Sequence, residues 1–176
     1  MNKIDSETLR SLLCRVGFVY TGEVIAPDGR ILQRQVDCNL IPQVGVDHLA
    51  GLLRGTGSLI SNWYCGIYEG DYVPTSATTS ADLQTGAQEC QAYSQANRPV
   101  WANAYDGVQL ITNLASRAEF TMTADKTLHG AFLVSASGKG TGTGTLQSIA
   151  RFSSPYIVPN GSTFRLGVSI SLVPAS

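Results

Sequence analysis

Ser137–Gly138–Lys139–Gly140–Thr141–Gly142–Thr143–Gly144–Thr145 holds the residue types most suggestive of chemistry, because glycines around a lysine can cradle phosphate. The spacing does not suit that task. A phosphate loop needs four residues between its first glycine and a Gly-Lys-Ser/Thr, followed by a helix, whereas Leu146 onward alternates like a strand. A dinucleotide fingerprint fails at Thr143, where it would require glycine. The segment therefore reads as a flexible hairpin tip between strands at Leu128–Ser135 and Leu146–Phe152, ordered against a partner.

General bases and paired acids are equally sparse. The two histidines, His48 and His129, lie outside any nucleophile motif; His48 is expected on a solvated helix face and His129 on a sheet surface. Glycoside cleavage needs two carboxylates held ~5–10 Å apart, and Glu69 with Asp71 is the best such pair. Their expected role is to keep a strand end soluble. Tyr64, Tyr68 and Tyr72 beside them leave open a carbohydrate-binding surface, since exposed aromatic rings stack on sugars. Cys14, Cys38, Cys65 and Cys90 are evenly spread, with no C-x-x-C pair and no histidine at ligand spacing, so no metal site is expected. They read as small, buried, reduced side chains in a protein made in a reducing cytoplasm. No cofactor is implied, and the chain reads as no enzyme.

The elements that would position these residues are mostly strands. In Thr163–Leu172, Phe164, Leu166, Val168, Ile170 and Leu172 share one face, and Ala118, Phe120, Met122 and Ala124 do so upstream. Val16–Cys38 predicts a hairpin turning at Pro27–Asp28–Gly29–Arg30, and Asn62–Tyr68 a central strand with bulk on both faces. Asn160–Gly161 predicts a second hairpin, with an edge or bulge near Pro155 and Pro159. Two helices are expected. Ser6–Cys14 carries an apolar stripe of Leu9, Leu12, Leu13 and Val16; Val46–Arg54 presents Val46, Leu49, Ala50 and Leu53 toward one end of the sheet and stops at Gly55. Residues 69–87 read as a long surface excursion suited to a neighbouring subunit.

The fold class is mainly β: an antiparallel, jelly-roll-like β-sandwich with a short N-terminal helix, a hairpin and one further short helix. Residues 1–58 form a helix, hairpin and helix arm that packs on or extends from a core at 59–176. Charged residues are 14% of the 176, against a usual ~25%, and the net charge is −1, so no basic footprint for nucleic acid exists. No run approaches the ~20 apolar residues of a membrane span.

Several segments in order carry a family likeness: Asn39–Leu40–Ile41–Pro42, Asn62–Trp63–Tyr64 through Tyr68 to Asp71–Tyr72–Val73–Pro74, Glu89–Cys90–Gln91–Ala92–Tyr93, Arg98–Pro99–Val100–Trp101, Phe120–Asp125, His129–Leu133, Ala150–Arg151–Phe152 and Val158–Pro159–Asn160–Gly161. Across residues 39–174 this pattern resembles a family of small tailed-bacteriophage virion proteins, capsid decoration (cement) or tail-accessory components. The resemblance implies a noncatalytic β-sandwich that binds the major capsid protein or tail subunits, and itself as a homo-oligomer, on the outer capsid surface or the tail. The expected partner-binding residues are Leu9, Leu12, Leu13 and Val16 on the arm, Tyr68 and Tyr72 by the 69–87 loop, and Lys139 on the glycine-rich tip. The four arm residues are equally suited to packing on the protein's own sheet.

Overall fold

In a computed structural model, which describes residues 17–171, the alternating segments form nine strands and two helices. The strands are β1 Phe18–Ile25, β2 Ile31–Cys38, β3 Tyr64–Tyr68, β4 Ala104–Tyr105, β5 Leu110–Thr112, β6 Ala118–Thr121, β7 Lys126–Val134, β8 Leu146–Val158 and β9 Thr163–Ser171. Helix α1 spans Gln43–Leu53 and α2 Asp82–Thr85. Every ladder is antiparallel: one sheet runs β2-β1-β9-β5-β4 with β6 also on β9, and the other runs β3-β7-β8. The predicted N-terminal helix, with Leu9, Leu12, Leu13 and Val16, lies outside the described residues, as does Leu172.

Local chemistry explains the first hairpin. Gly29 takes φ +85°, Asp28 accepts from the Arg30 amide at 3.0 Å, and Ala26 closes the turn. The hairpin is no loose arm, because all eight residues of β1 pair with β9. Period-two alternation then drives Tyr20, Val24, Phe120, Phe164, Leu166 and Val168 into one cluster with Ile67, Leu133 and Phe152 of the other sheet. Edge-on aromatic pairs, Phe152–Tyr156 at 4.9 Å and Tyr156–Phe164 at 5.0 Å, tie this shared core.

The opposite face of β3-β7-β8 is buried as well. Tyr68, Phe132, Val134, Leu146 and Ile149 pack with Leu83 of α2 and Ala87. Residues 69–87 are thus folded back as a cover for the protein's own sheet rather than held out over the surface. The second edge of β3 is bridged by the 88–101 segment through Tyr64–Val100 and Tyr68–Glu89, so β3 is flanked on both sides.

One predicted hairpin is corrected. The Asn160–Gly161 turn forms, with Gly161 at φ +78°, but it joins β8 of one sheet to β9 of the other. The β6–β7 corner holds it there: Gly161 donates to Met122 O at 2.9 Å, and the Asn160 amide to Asp125 at 2.7 Å. A bulge near Pro155 is present, with Leu128 opposite Tyr156 and Gly130 opposite Arg151. At the bulge, Gln35 Nε2 donates to Ser154 O and the Ser153 amide to Asp37 at 2.7 Å, so side chains of β2 satisfy the edge of β8.

Candidate functional site

Helix α1 is set onto β8 by its smallest residue. Gly45 is buried so closely over Gln147 that a Cβ there would stand 2.5 Å from the Gln147 carbonyl. Gln147 Nε2 donates to Gly45 O at 3.3 Å, and its Oε1 lies 2.9 Å from His48 Nδ1. His48 is therefore a half-buried docking residue, edge-on to Trp63 at 5.2 Å, and not a solvated one. The consequence is a reversed helix. Val46, Leu49, Ala50 and Leu53, expected to cover the sheet, face outward, and Leu53 is 90% exposed. Gly55, at φ +67°, ends the helix as expected, and Leu59 beyond it is also exposed.

The glycine-rich segment is not a free tip. Arg98 and Glu89 form a bidentate pair, both bonds 2.7 Å, with side chains 0% and 1% exposed. Arg98 also donates to Ala136 O at 2.8 Å and Thr141 O at 2.9 Å, while the Gly140 amide donates to Glu89 at 2.8 Å. Lys139 turns inward: its Nζ donates to the carbonyls of Gln91, Tyr93 and Gln95 and stands 4.2 Å from the Tyr93 ring centroid. The loop is thus ordered by its own chain.

The tyrosines expected at the surface are withdrawn from it to different degrees. Tyr68 is fully buried and donates to Ala150 O at 3.0 Å; Tyr72 is half-buried, its hydroxyl 3.0 Å from that of Thr78. A sugar cannot stack on Tyr68 in this arrangement. Nor do Glu69 and Asp71 act as a pair, because Glu69 meets Lys126 at 2.6 Å and Asp71 meets Arg151 at 2.6 Å.

Asp71, His129, Arg151, Phe152, Ser153 and Pro155 line a depression of about 480 Å³, the described surface that most nearly gathers catalytic residue types. His129 Nδ1 stands 3.6 Å from the Asp71 carboxylate, beyond hydrogen-bond length, and Arg151 already occupies that oxygen. The carboxylate therefore does not orient the imidazole as a triad acid does. No local sequence signal marks this grouping, because the β8 bulge, not chain spacing, brings Arg151 and Ser153 beside His129.

The thiols divide by exposure. Burial pushes the Cys65 thiol well up from its ordinary value and raises that of Cys90, which keeps both protonated, whereas Cys38 is exposed, contrary to the expectation that it is buried. All three are free. Among the described residues, no group of three or more His, Cys, Asp or Glu side chains could hold a metal, and no helix is long and apolar enough to cross a membrane.

No family model, curated protein or solved structure matches the chain. What the geometry offers is a mainly β body whose charged groups are largely paired with one another, and whose exposed large apolar side chains include Val46, Leu49, Leu52 and Leu53 on α1 and Ile31, Leu32 and Val36 on β2.

Proposed function

We propose that this protein is a noncatalytic structural subunit of a tailed-phage virion: a capsid decoration, or cement, protein that binds the major capsid protein lattice. The ordered likeness of residues 39–174 to that family motivates the reading, and the fold is proposed to be a jelly-roll-like β-sandwich. One observation carries it. The residue types that could do chemistry are spent on holding the chain together: Arg98 on Glu89, Lys139 on three carbonyls, Asp71 on Arg151. A cement subunit needs such a rigid body, since it must hold joints between shell subunits by added contact, each interface of ~1,600 Å² supplying affinity and symmetry multiplying it.

Adding purified protein to capsids that lack it tests the proposal. Density on the outer shell, together with a higher temperature of capsid rupture, is the expected result. Density at the tail instead would assign the tail-adaptor role that the same family likeness allows. No density on either would overturn the proposal, and so would turnover of a substrate at the His129 depression. A carbohydrate-binding role loses its main support with Tyr68 in the core.

A further inference from the structure

The outward stripe of α1 is an association surface, and we infer that its occupant is a second copy of the same helix, packed antiparallel about a two-fold axis. Val46, Leu49, Ala50 and Leu53 recur at i, i+3, i+4 and i+7, one continuous seam on the side of α1 opposite Gly45 and His48. Among the described residues, α1 docks on β8 through Gly45, Gln147 and His48, and these contacts lie off the seam.

The charges flanking the seam choose the occupant. Asp47 and Arg54 are both exposed and stand seven residues apart, two helical turns, so they lie on the same flank of the stripe. Among the described residues neither makes an ion pair. A two-fold axis at right angles to the helix, passing between Ala50 and Gly51, leaves each flank on its own side and reverses the helix direction. It therefore sets Asp47 of one copy level with Arg54 of the other, twice, while the apolar residues meet between them. A parallel two-fold pairing would carry this flank to the opposite side of the seam in the second copy, where Asp47 and Arg54 could not meet across it. The seam is one short helix, small beside the ~1,600 Å² of a standard interface, so the dimer is expected to be weak and concentration-dependent. This inference does not rest on the virion reading.

Sedimentation equilibrium of the full chain across a wide concentration range, with four variants, tests it. The expected result is a reversible monomer–dimer equilibrium. Leu53→Glu should weaken it about a hundredfold by placing charge in the seam, without harm to folding, because the side chain is 90% exposed. Asp47→Arg and Arg54→Asp alone should each weaken it up to about tenfold, and the two together should restore it to near the original value. A single monomer mass at all concentrations overturns the inference, as does an unchanged equilibrium in Leu53→Glu. Failure of the double charge swap to restore association overturns the antiparallel arrangement, and a stripe covered by the chain's own residues would give the monomer result.

Discussion

Tyr68 occupies the space that a side chain at its cross-strand partner Gly130 would need: a Cβ there would lie 2.1 Å from Tyr68 Cζ and 2.2 Å from the Ala150 carbonyl. The neighbouring pair repeats the arrangement, with Phe132 filling the place of a side chain at Gly66, 2.1 Å from its ring. Two aromatic rings can thus lie against the β3–β7 ladder under the 69–87 cover. Gly130→Ala and Gly66→Ala are each expected to destabilise the protein by about 3 kcal/mol, since rigid backbone and packed rings cannot give way. Tyr68→Phe keeps the ring and loses only the bond to Ala150, costing about 1 kcal/mol. Urea denaturation of the three variants checks the ranking; a Gly130→Ala protein as stable as the parent would contradict the packing described.

Arg98 and Glu89 form the second internal support, and their removal should release the 136–145 segment. Glu89→Gln or Arg98→Met alone leaves a buried charge without its partner and should cost about 3–5 kcal/mol. Replacing both by apolar residues should cost less than the sum of the two, because no lone charge remains. Limited proteolysis is the distinguishing readout: cleavage should appear between Ala136 and Thr145 in the single variants before global unfolding.

How much of this was legible in the chain follows from the range over which each signal acts. The β1–β2 hairpin and β9 could be read directly, because strand alternation and the Asp28–Gly29 turn are local. Helix α1 could also be read, down to its stop at Gly55, but not which face it buries. Periodicity identifies an apolar stripe without saying what meets it, and here a backbone contact at Gly45 decided the orientation. Asn160–Gly161 shows the same limit, since a turn signal does not specify whether the following strand stays in its sheet. The Arg98–Glu89 pair lies in a polar stretch without periodicity, and nothing local marks it. As for site residues, Tyr68 and Lys139 have the types of surface contacts, and only the tertiary fold turns them inward.

Thiol reactivity offers a test at single-residue level. Cys38 is exposed at the sheet edge, whereas Cys65 and Cys90 are buried and their thiols are held protonated. Brief alkylation of native protein near pH 8, followed by peptide mass spectrometry, should label Cys38 and leave Cys65 and Cys90 nearly unmodified. Both should react fully in denaturant. Early labelling of Cys65 in folded protein would mean that the shared core is not closed around β3.

Acid should remove one specific contribution, that of Glu23 on the outer face of the larger sheet. Its side chain is 4% exposed and ion-paired to both Arg34 and Arg117. Burial alone would raise its carboxyl; the two guanidinium groups outweigh that and hold it below its ordinary value of 4.5. A group whose folded value is lowered stabilises fully above the unfolded value, and that contribution disappears as pH falls through the folded one. Glu23→Gln should therefore cost about 1–3 kcal/mol at neutral pH, toward the lower end because Arg34 is half open to water. The gap between parent and variant should stay constant down to about pH 5 and then close as the parent's carboxyl protonates. Urea titrations of both proteins from neutral pH downward measure it. A gap that persists unchanged at about pH 2 would show that Glu23 contributes through packing and not through its charge.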